Sequence, residues 1–471
     1  MRKELHTILD SYHQEMIGNL RKLIKIRSVV TEATVNAPFG KDIQESLDFI
    51  LSLGEKKGFS CKNYDNYICE ITLGKEAQSV GAVLHLDVVP EGDGWTYPPF
   101  DGALVDGRIY GRGAVDDKGP LIAVFYACLA IKESGLPLKK AIKQIIGTNE
   151  ENGVFPCLKH YLEHGEVPSC GIVPDAWFPA VYAEKGFLNI EFKAEIEMSK
   201  ESKDEPTQLI SMKGGEAINV VAPSACAKLE ISSQETKMLY EMVRCHPRKD
   251  SIQVVEHGDS VTISTIGKSA HASTPELGIN AIALLLEFLE KLPFGPGELK
   301  WRLLRLSEMV ARDSDGTGLG VAGEDHTGAL TQNPGLISYD NSKLDLKLNL
   351  RSPVSMSPVI LMGRLKEKAE ATGMICDQIS YNPPFYIEPT HPLVVTLTQV
   401  YREMTGDYET EPKAHGAGSY ARMLDGFVPF GPSIQGEELC FHKQDEYIDC
   451  QRLLLLSKIY AEALYTLANE E

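Results

Sequence analysis

The sequence predicts an α/β domain, a mixed sheet flanked by helices, that is split in two by an inserted α+β domain. Three observations predict it. Between residues 80 and 173, short apolar strands alternate with helices, the pattern of a sheet containing parallel pairs. From residue 184 the strands become amphipathic, and this texture persists for about 200 residues, too long for a loop. Near residue 383 the first texture returns. The split domain is therefore expected at 1–183 and 385–471, and the insertion at 184–384.

Each element follows from its pattern. Ile8, Leu9, Met16, Ile17, Leu20, Leu23 and Ile24 recur at helical spacing, and 43–58 repeats it, so the first 60 residues hold two amphipathic helices. Residues 80–89 read as one apolar strand interrupted only by His85 and Asp87. A helix over 119–135 is closed by Gly135. A strand at 141–148 and a helix at 155–164 follow, and 171–175 ends a short strand. In the insertion, 187–196, 260–266 and 344–350 are strands, and 278–292 and 358–372 are helices. Helices at 391–404 and 450–467 complete the split domain. Hinges are expected at 183–186 and 382–385.

Composition bounds the function. The 471 residues carry 47 Lys plus Arg against 66 Asp plus Glu, a formal charge of −19, with no basic block. That balance disfavours nucleic acid, whose binding needs clustered cations. The longest apolar run, 121–131, has 11 residues and is too short to span a bilayer. The first six residues lack the apolar stretch of a secretory leader. Ten scattered cysteines, with no CxxC pair, fit a reducing compartment. A cytoplasmic protein without nucleic-acid or membrane partners is expected.

Four strand ends carry acids or His. His85 and Asp87 stand two apart, on one face of a strand. Asp116 and Asp117 precede a helix, Glu150 and Glu151 follow a strand, and Asp175 ends another. Carboxylates gathered beside apolar strands raise one another's pKa, and divalent cations are the simplest compensation. One His with several carboxylates suits zinc or manganese better than calcium. Taken singly, each feature is an ordinary core His, helix cap or solvated loop. The four together, in order along one α/β unit, point to a metal site.

The segments HLDVVP (85–90), GRGAVDDKG (111–119), GTNEENG (147–153) and PDAWFP (174–179) resemble the PepV-like dinuclear metallo-dipeptidases. These belong to a superfamily with carnosinases, aminoacylases and desuccinylases. The likeness continues through GGEAINVVAPSA (214–225), GKSAHASTPELGINA (267–281), LNLRSP (348–353), GAGSYAR (416–422) and FHKQDEY (441–447). The insertion resembles the lid domain of that group.

The resemblance implies two divalent metals, zinc first, with manganese or cobalt as alternatives. His85, Asp116 and Asp175 would hold one, and Asp116, Glu151 and His442 the other. It implies a bridging water or hydroxide as nucleophile, Glu150 as general base and acid, and Asp87 accepting the second ring N–H of His85. It also implies a cis peptide between Asp116 and Asp117. From the lid, His271 would polarise the scissile carbonyl, and Asn219 and Arg351 would reach the substrate. Arg351 with the Gly418–Ser419 backbone would hold a substrate carboxylate. Asp at position 175 favours a dipeptidase over an N-acyl amino acid deacylase or desuccinylase. Two departures stand out: Asn149 where relatives often have Asp, and Ala417 and Ser419 where the pattern has Gly and Thr. A long lid implies a monomer that completes its own site. The partner expected is a small dipeptide, and the process peptide catabolism. A homologue that binds metal without catalysis is the other class of reading, and Glu150 argues against it.

Two competing motifs are weaker. His160, Glu163 and His164 match an inverted zinc-peptidase motif, but they fall on the polar side of their helix. GAGSYA (416–421) imitates a dinucleotide fingerprint, yet no buried strand is expected before it.

Overall fold

The structure is a computed structural model that describes residues 2–196, 207–292, 294, 298–340, 342–437 and 440–470. By their internal contacts the residues form two compact units. One comprises Met1–Ala183, Tyr386–Ala414 and Gly418–Glu471, and the other Glu184–Phe385 with His415–Ala417.

The first unit is built on a six-stranded mixed sheet. Its order is Ser60–Tyr64, Ile68–Leu73, Ala141–Gly147, Ser79–His85, Cys170–Val173 and Phe427–Pro429. The first two pairings are antiparallel and the remaining three parallel. The helix Lys118–Ser134 is apolar nearly all round and buried from Lys118 to Ile131, as such a helix must be. It packs between the first helix, Lys3–Ile24, and the last, Cys450–Asn469, and both it and the last helix lie on the central strands. Gly135, in the left-handed region at φ 66°, closes it. The apolar run 121–131 is thus a core helix. No described helix is long and apolar enough to cross a membrane.

The expected strand 80–89 stops at His85. Leu86 still donates to Gly147 O at 2.9 Å, but Val88 turns away to Ser28 O at 3.0 Å. His85 and Asp87 therefore do not share a strand face. A small antiparallel sheet of Ala103–Val105, Arg108–Tyr110 and Tyr447–Asp449 draws the GRGAVDDKG and FHKQDEY segments together across more than 300 residues of chain.

The second unit has an eight-stranded, wholly antiparallel sheet. Its order is Ile252–His257, Ser260–Ile266, Ser224–Ile231, Thr207–Gly214, Thr331–Asp340, Lys343–Ser352, Gly186–Glu195 and Ile375–Asn382. Gly186–Glu195 alternates buried and half-buried residues, the pattern of a strand with one covered face. Helices including Ala281–Leu289 and Pro358–Ala371 pack on the sheet around a separate apolar core. The helix expected from 278 begins at Ala281, because Asn280 caps it by accepting from Ile282 and Ala283.

Candidate metal centre

Parallel strands deliver the acids to one edge. Ser79–His85 lies between Ala141–Gly147 and Cys170–Val173, all running the same way, so their carboxyl ends open together. His85 ends the middle strand, Glu150 and Glu151 follow the second, and Asp175 follows the third. Asp116 and Asp117 precede the buried helix, and their peptide bond is cis, as the resemblance implies. Neither serves as an ordinary cap. Asp117 occupies the N-cap position without a capping bond, and its carboxylate accepts the backbone N–H of His85 at 3.1 Å.

Two groups of three residues able to ligate a metal converge among the described residues: His85, Asp116 and Asp175, and Asp116, Glu151 and His442. Within each group the ligand atoms lie within 4.8 Å of one another. His85 Nε2 is 3.0 Å from Asp116 Oδ1 and 3.9 Å from Asp175 Oδ2. His442 Nε2 is 3.0 Å from Asp116 Oδ2 and 3.1 Å from Glu151 Oε2. Asp116 thus presents one oxygen to each histidine. His442 sits at φ 59°, a conformation costly for a β-carbon residue and kept where the surroundings impose it.

The charges are lopsided. Burial alone would raise the Asp116 carboxyl, but hydrogen bonds from His442 and His85 outweigh it and hold it well below the usual range. Glu150 is pushed up by burial and then by the negative charge of Asp175, and Glu151 is also raised, first by burial. Glu150 Oε1 is buried without a hydrogen-bond partner. Two imidazoles, three converging carboxylates and a bare buried oxygen beside them fit a pair of divalent cations, with Asp116 common to both.

Asp87 is placed differently from expectation. His85 Nδ1 is 2.9 Å from the Asp87 backbone carbonyl and 3.5 Å from its carboxylate. The carboxylate instead accepts the amides of Glu150, at 2.9 Å to both oxygens, and Glu151, at 3.0 Å. Because the strand ends at His85, Asp87 is free to turn beneath the Glu150–Glu151 turn.

Several supporting residues escaped sequence reasoning. Glu446, fully buried, accepts Val115 N–H at 2.9 Å and Asp116 N–H at 3.3 Å through one oxygen, and Arg112 Nη1 at 2.8 Å through the other. Arg112 also donates to Lys443 O and lies over the Trp95 ring. Both lie inside quoted motifs, where an Arg beside glycines and an acid four residues past His442 were the available signals. Tyr420 OH is 2.9 Å from Cys157 Sγ, whose thiol donates to Asn149 O, next to Glu150. The Lys118 amine, pushed down to about 7 by burial, donates to Leu23 O and Ile26 O and fixes the end of the first helix.

The remaining site candidates fall in two places. Gly418 and Ser419 belong to the first unit. Ser419 Oγ accepts from Ala421 N, and any side chain at Gly418 would strike the Arg422 guanidinium. Asn219, His271 and Arg351 belong to the second unit. Asn219 O accepts from Ala272 N at 3.0 Å, which seats it beside His271. Arg351 is buried, lies over Phe187, and donates to Asn349 Oδ1 and Gly416 O at 2.8 and 3.2 Å. It is not a surface charge.

His160 stacks on Tyr67 and pairs with Asp65, and His164 Nδ1 meets the His160 carbonyl, so the inverted zinc motif assembles no ligand set. A three-residue strand, Lys413–His415, does precede GAGSYA, but it is only half-buried and leads to a short 3₁₀ turn, Tyr420–Met423, in place of an α-helix.

Residues 83–466 match the peptidase family M20/M25/M40. The chain is 35% identical over 463 residues to a Bacillus subtilis (strain 168) protein named "Putative dipeptidase YtjP", covering 97% of this chain and 98% of that one. It is 34% identical over 468 residues to a Staphylococcus epidermidis (strain ATCC 12228 / FDA PCI 1200) protein named "Putative dipeptidase", covering 98% of each. Among solved structures it is similar to human carnosine dipeptidase 1, with a TM-score of 0.59 and 14% identity over 99% of both chains. It is similar also to the di-peptidase Dug1p of Saccharomyces cerevisiae, with a TM-score of 0.59 and 13% identity over 99% and 98%. At such identities the structural likeness shows the fold.

Proposed function

This chain belongs to the peptidase family M20/M25/M40 and is a peptidase, and from that premise we propose that it hydrolyses dipeptides with two divalent metals. His85, Asp116 and Asp175 would hold one cation and Asp116, Glu151 and His442 the other, with zinc as the first choice and manganese or cobalt as alternatives. Bound there, such cations would lower the pKa of a coordinated water towards neutrality.

The observation that carries the reading is Glu150. Its backbone is pinned by Asp87, its carboxyl is raised by burial, and its Oε1 has no internal partner. A carboxylate held this way can take the water's proton as the water oxygen bonds to the peptide carbonyl carbon. It then passes that proton to the amine as the C–N bond breaks. Asp87 positions both glutamates, and its backbone carbonyl accepts from His85 Nδ1, fixing that ring with Nε2 towards Asp116. His271 polarises the scissile carbonyl, Asn219 reaches the same substrate, and Arg351 with the Gly418–Ser419 backbone takes its carboxylate.

In this reading residues 184–384 serve as a lid between the two parts, 1–183 and 385–471, of the catalytic domain, with hinges at 183–186 and 382–385. Reading both charged ends limits the substrate to two residues. The enzyme acts as a cytoplasmic monomer in peptide catabolism. The test is Glu150→Gln: turnover of dipeptides should fall at least about 10²-fold while both metals stay bound. Loss of metal with turnover, or retention of turnover, would count against this role.

A further inference from the structure

The second unit contains a residue pair that settles how His271 presents itself. The Ser273 backbone N–H points at His271 Nδ1 across 3.2 Å, and Ser273 Oγ lies 2.7 Å from the same atom. A backbone N–H can only donate, so Nδ1 is the acceptor and the ring proton of the neutral imidazole resides on Nε2. A proton on Nδ1 would face the Ser273 amide proton. Backbone bonds hold the loop that imposes this: Thr274 N–H returns to His271 O at 3.0 Å, Ala272 N–H to Asn219 O at 3.0 Å, and Val220 bridges His271.

Ser273 is itself held in place. A β-carbon at Gly416 would lie 2.6 Å from Ser273 Cβ, so the two segments touch only because residue 416 is glycine. The carbonyl of Gly416 accepts from Arg351 Nη1 at 3.2 Å. His271, Ser273, Gly416 and Arg351 form a continuous chain of contacts within one unit.

The geometry points to Ser273 as a positioning residue for the reaction. It orients the His271 ring so that Nε2–H is its hydrogen-bond donor, and it ties that ring through Gly416 to Arg351. The inference rests on the reading of His271 as the group that polarises the carbonyl, since that role needs a donor. Ser273 touches no reacting atom in this account.

The experiment uses the full, zinc-loaded chain. In ¹⁵N-histidine-labelled protein, with the His271 signals assigned by difference from His271→Ala, the imidazole should show an unprotonated Nδ1 and a protonated Nε2. In Ser273→Ala, which keeps the backbone N–H but loses the hydroxyl, the Nδ1 signal should move. The same variant should lose about tenfold in kcat on a dipeptide with KM nearly unchanged. In the His271→Ala background, Ser273→Ala should cost nothing more, because its effect passes through the ring. Ser273→Thr, which retains the hydroxyl, should restore most of the rate. A protonated Nδ1 in active wild-type enzyme, or an equal loss from Ser273→Ala in both backgrounds, would overturn the inference and leave the reading of His271 standing. Full turnover by His271→Ala would overturn that reading and the inference with it.

Discussion

Both carboxylate oxygens of Asp87 lie 2.9 Å from the backbone nitrogen of Glu150, and one also lies 3.0 Å from that of Glu151. One buried acid therefore fixes the backbone of the proposed base and of a proposed metal ligand at once. Replacing Asp87 by Asn would aim an NH₂ group at those amide hydrogens. Asp87→Asn should lower kcat about 10- to 100-fold and weaken metal binding, although Asp87 is not a ligand. Parallel steady-state kinetics and metal titration check this, and unchanged kinetics would show that the turn holds itself.

Glu446 does the corresponding work under Asp116. Glu446→Gln keeps an oxygen for the Val115 and Asp116 amides but turns an NH₂ group towards the Arg112 guanidinium. Metal affinity should fall about 10- to 100-fold, as it does when residues supporting a ligand are changed. Competition against a chelator measures it, and wild-type affinity would show the backbone needs no such support.

A pH effect on stability is expected outside the candidate metal centre. Glu462 accepts from Arg2 N and Nη1, both at 2.6 Å, and pairs with His6 at 3.0 Å. Burial alone would raise its carboxyl, but the hydrogen bonds from His6 and Arg2 outweigh it and bring it down to about 2. A depressed carboxylate adds stability above its unfolded pKa of about 4.3, and loses it as pH falls through the folded value. Glu462→Gln should cost about 2–3 kcal/mol at pH 7 and nearly nothing at pH 2. Denaturant melts at both pH values test the sign.

His160→Ala should leave dipeptide turnover and metal content unchanged. Its ring stacks on Tyr67 and its partner Asp65 is largely exposed, so about 1 kcal/mol or less of stability is at stake. Loss of metal in this variant would move the centre to the inverted zinc motif.

The legible parts of this protein are those set by periodicity and strand ends. The helices over 3–24, 118–134 and 450–469 follow from apolar spacing, and His85, Glu151 and Asp175 stand out because acids and His at parallel strand ends are unusual. The pairing of Asp116 with His442 depends on a three-stranded sheet of three-residue strands, too short to carry a pattern. Glu446 and Arg112 are indistinguishable in sequence from solvated charges until that sheet buries them. Apolar residues running on to Val89 put Asp87 on the strand by pattern, and only the turn of Val88 to Ser28 takes it off. The Ser273 backbone N–H and hydroxyl both meet His271 Nδ1, a local turn contact that no side-chain periodicity announces.

One assay decides whether the chain cleaves dipeptides with two metals. The apo chain is reconstituted with zinc, manganese or cobalt and offered free dipeptides, including β-alanyl ones, beside N-acyl amino acids. Hydrolysis of free dipeptides should rise with metal to saturation at two ions per chain and be absent from the apo form. Cleavage of N-acyl amino acids with no dipeptide cut, or dipeptide hydrolysis undiminished without metal, would contradict it.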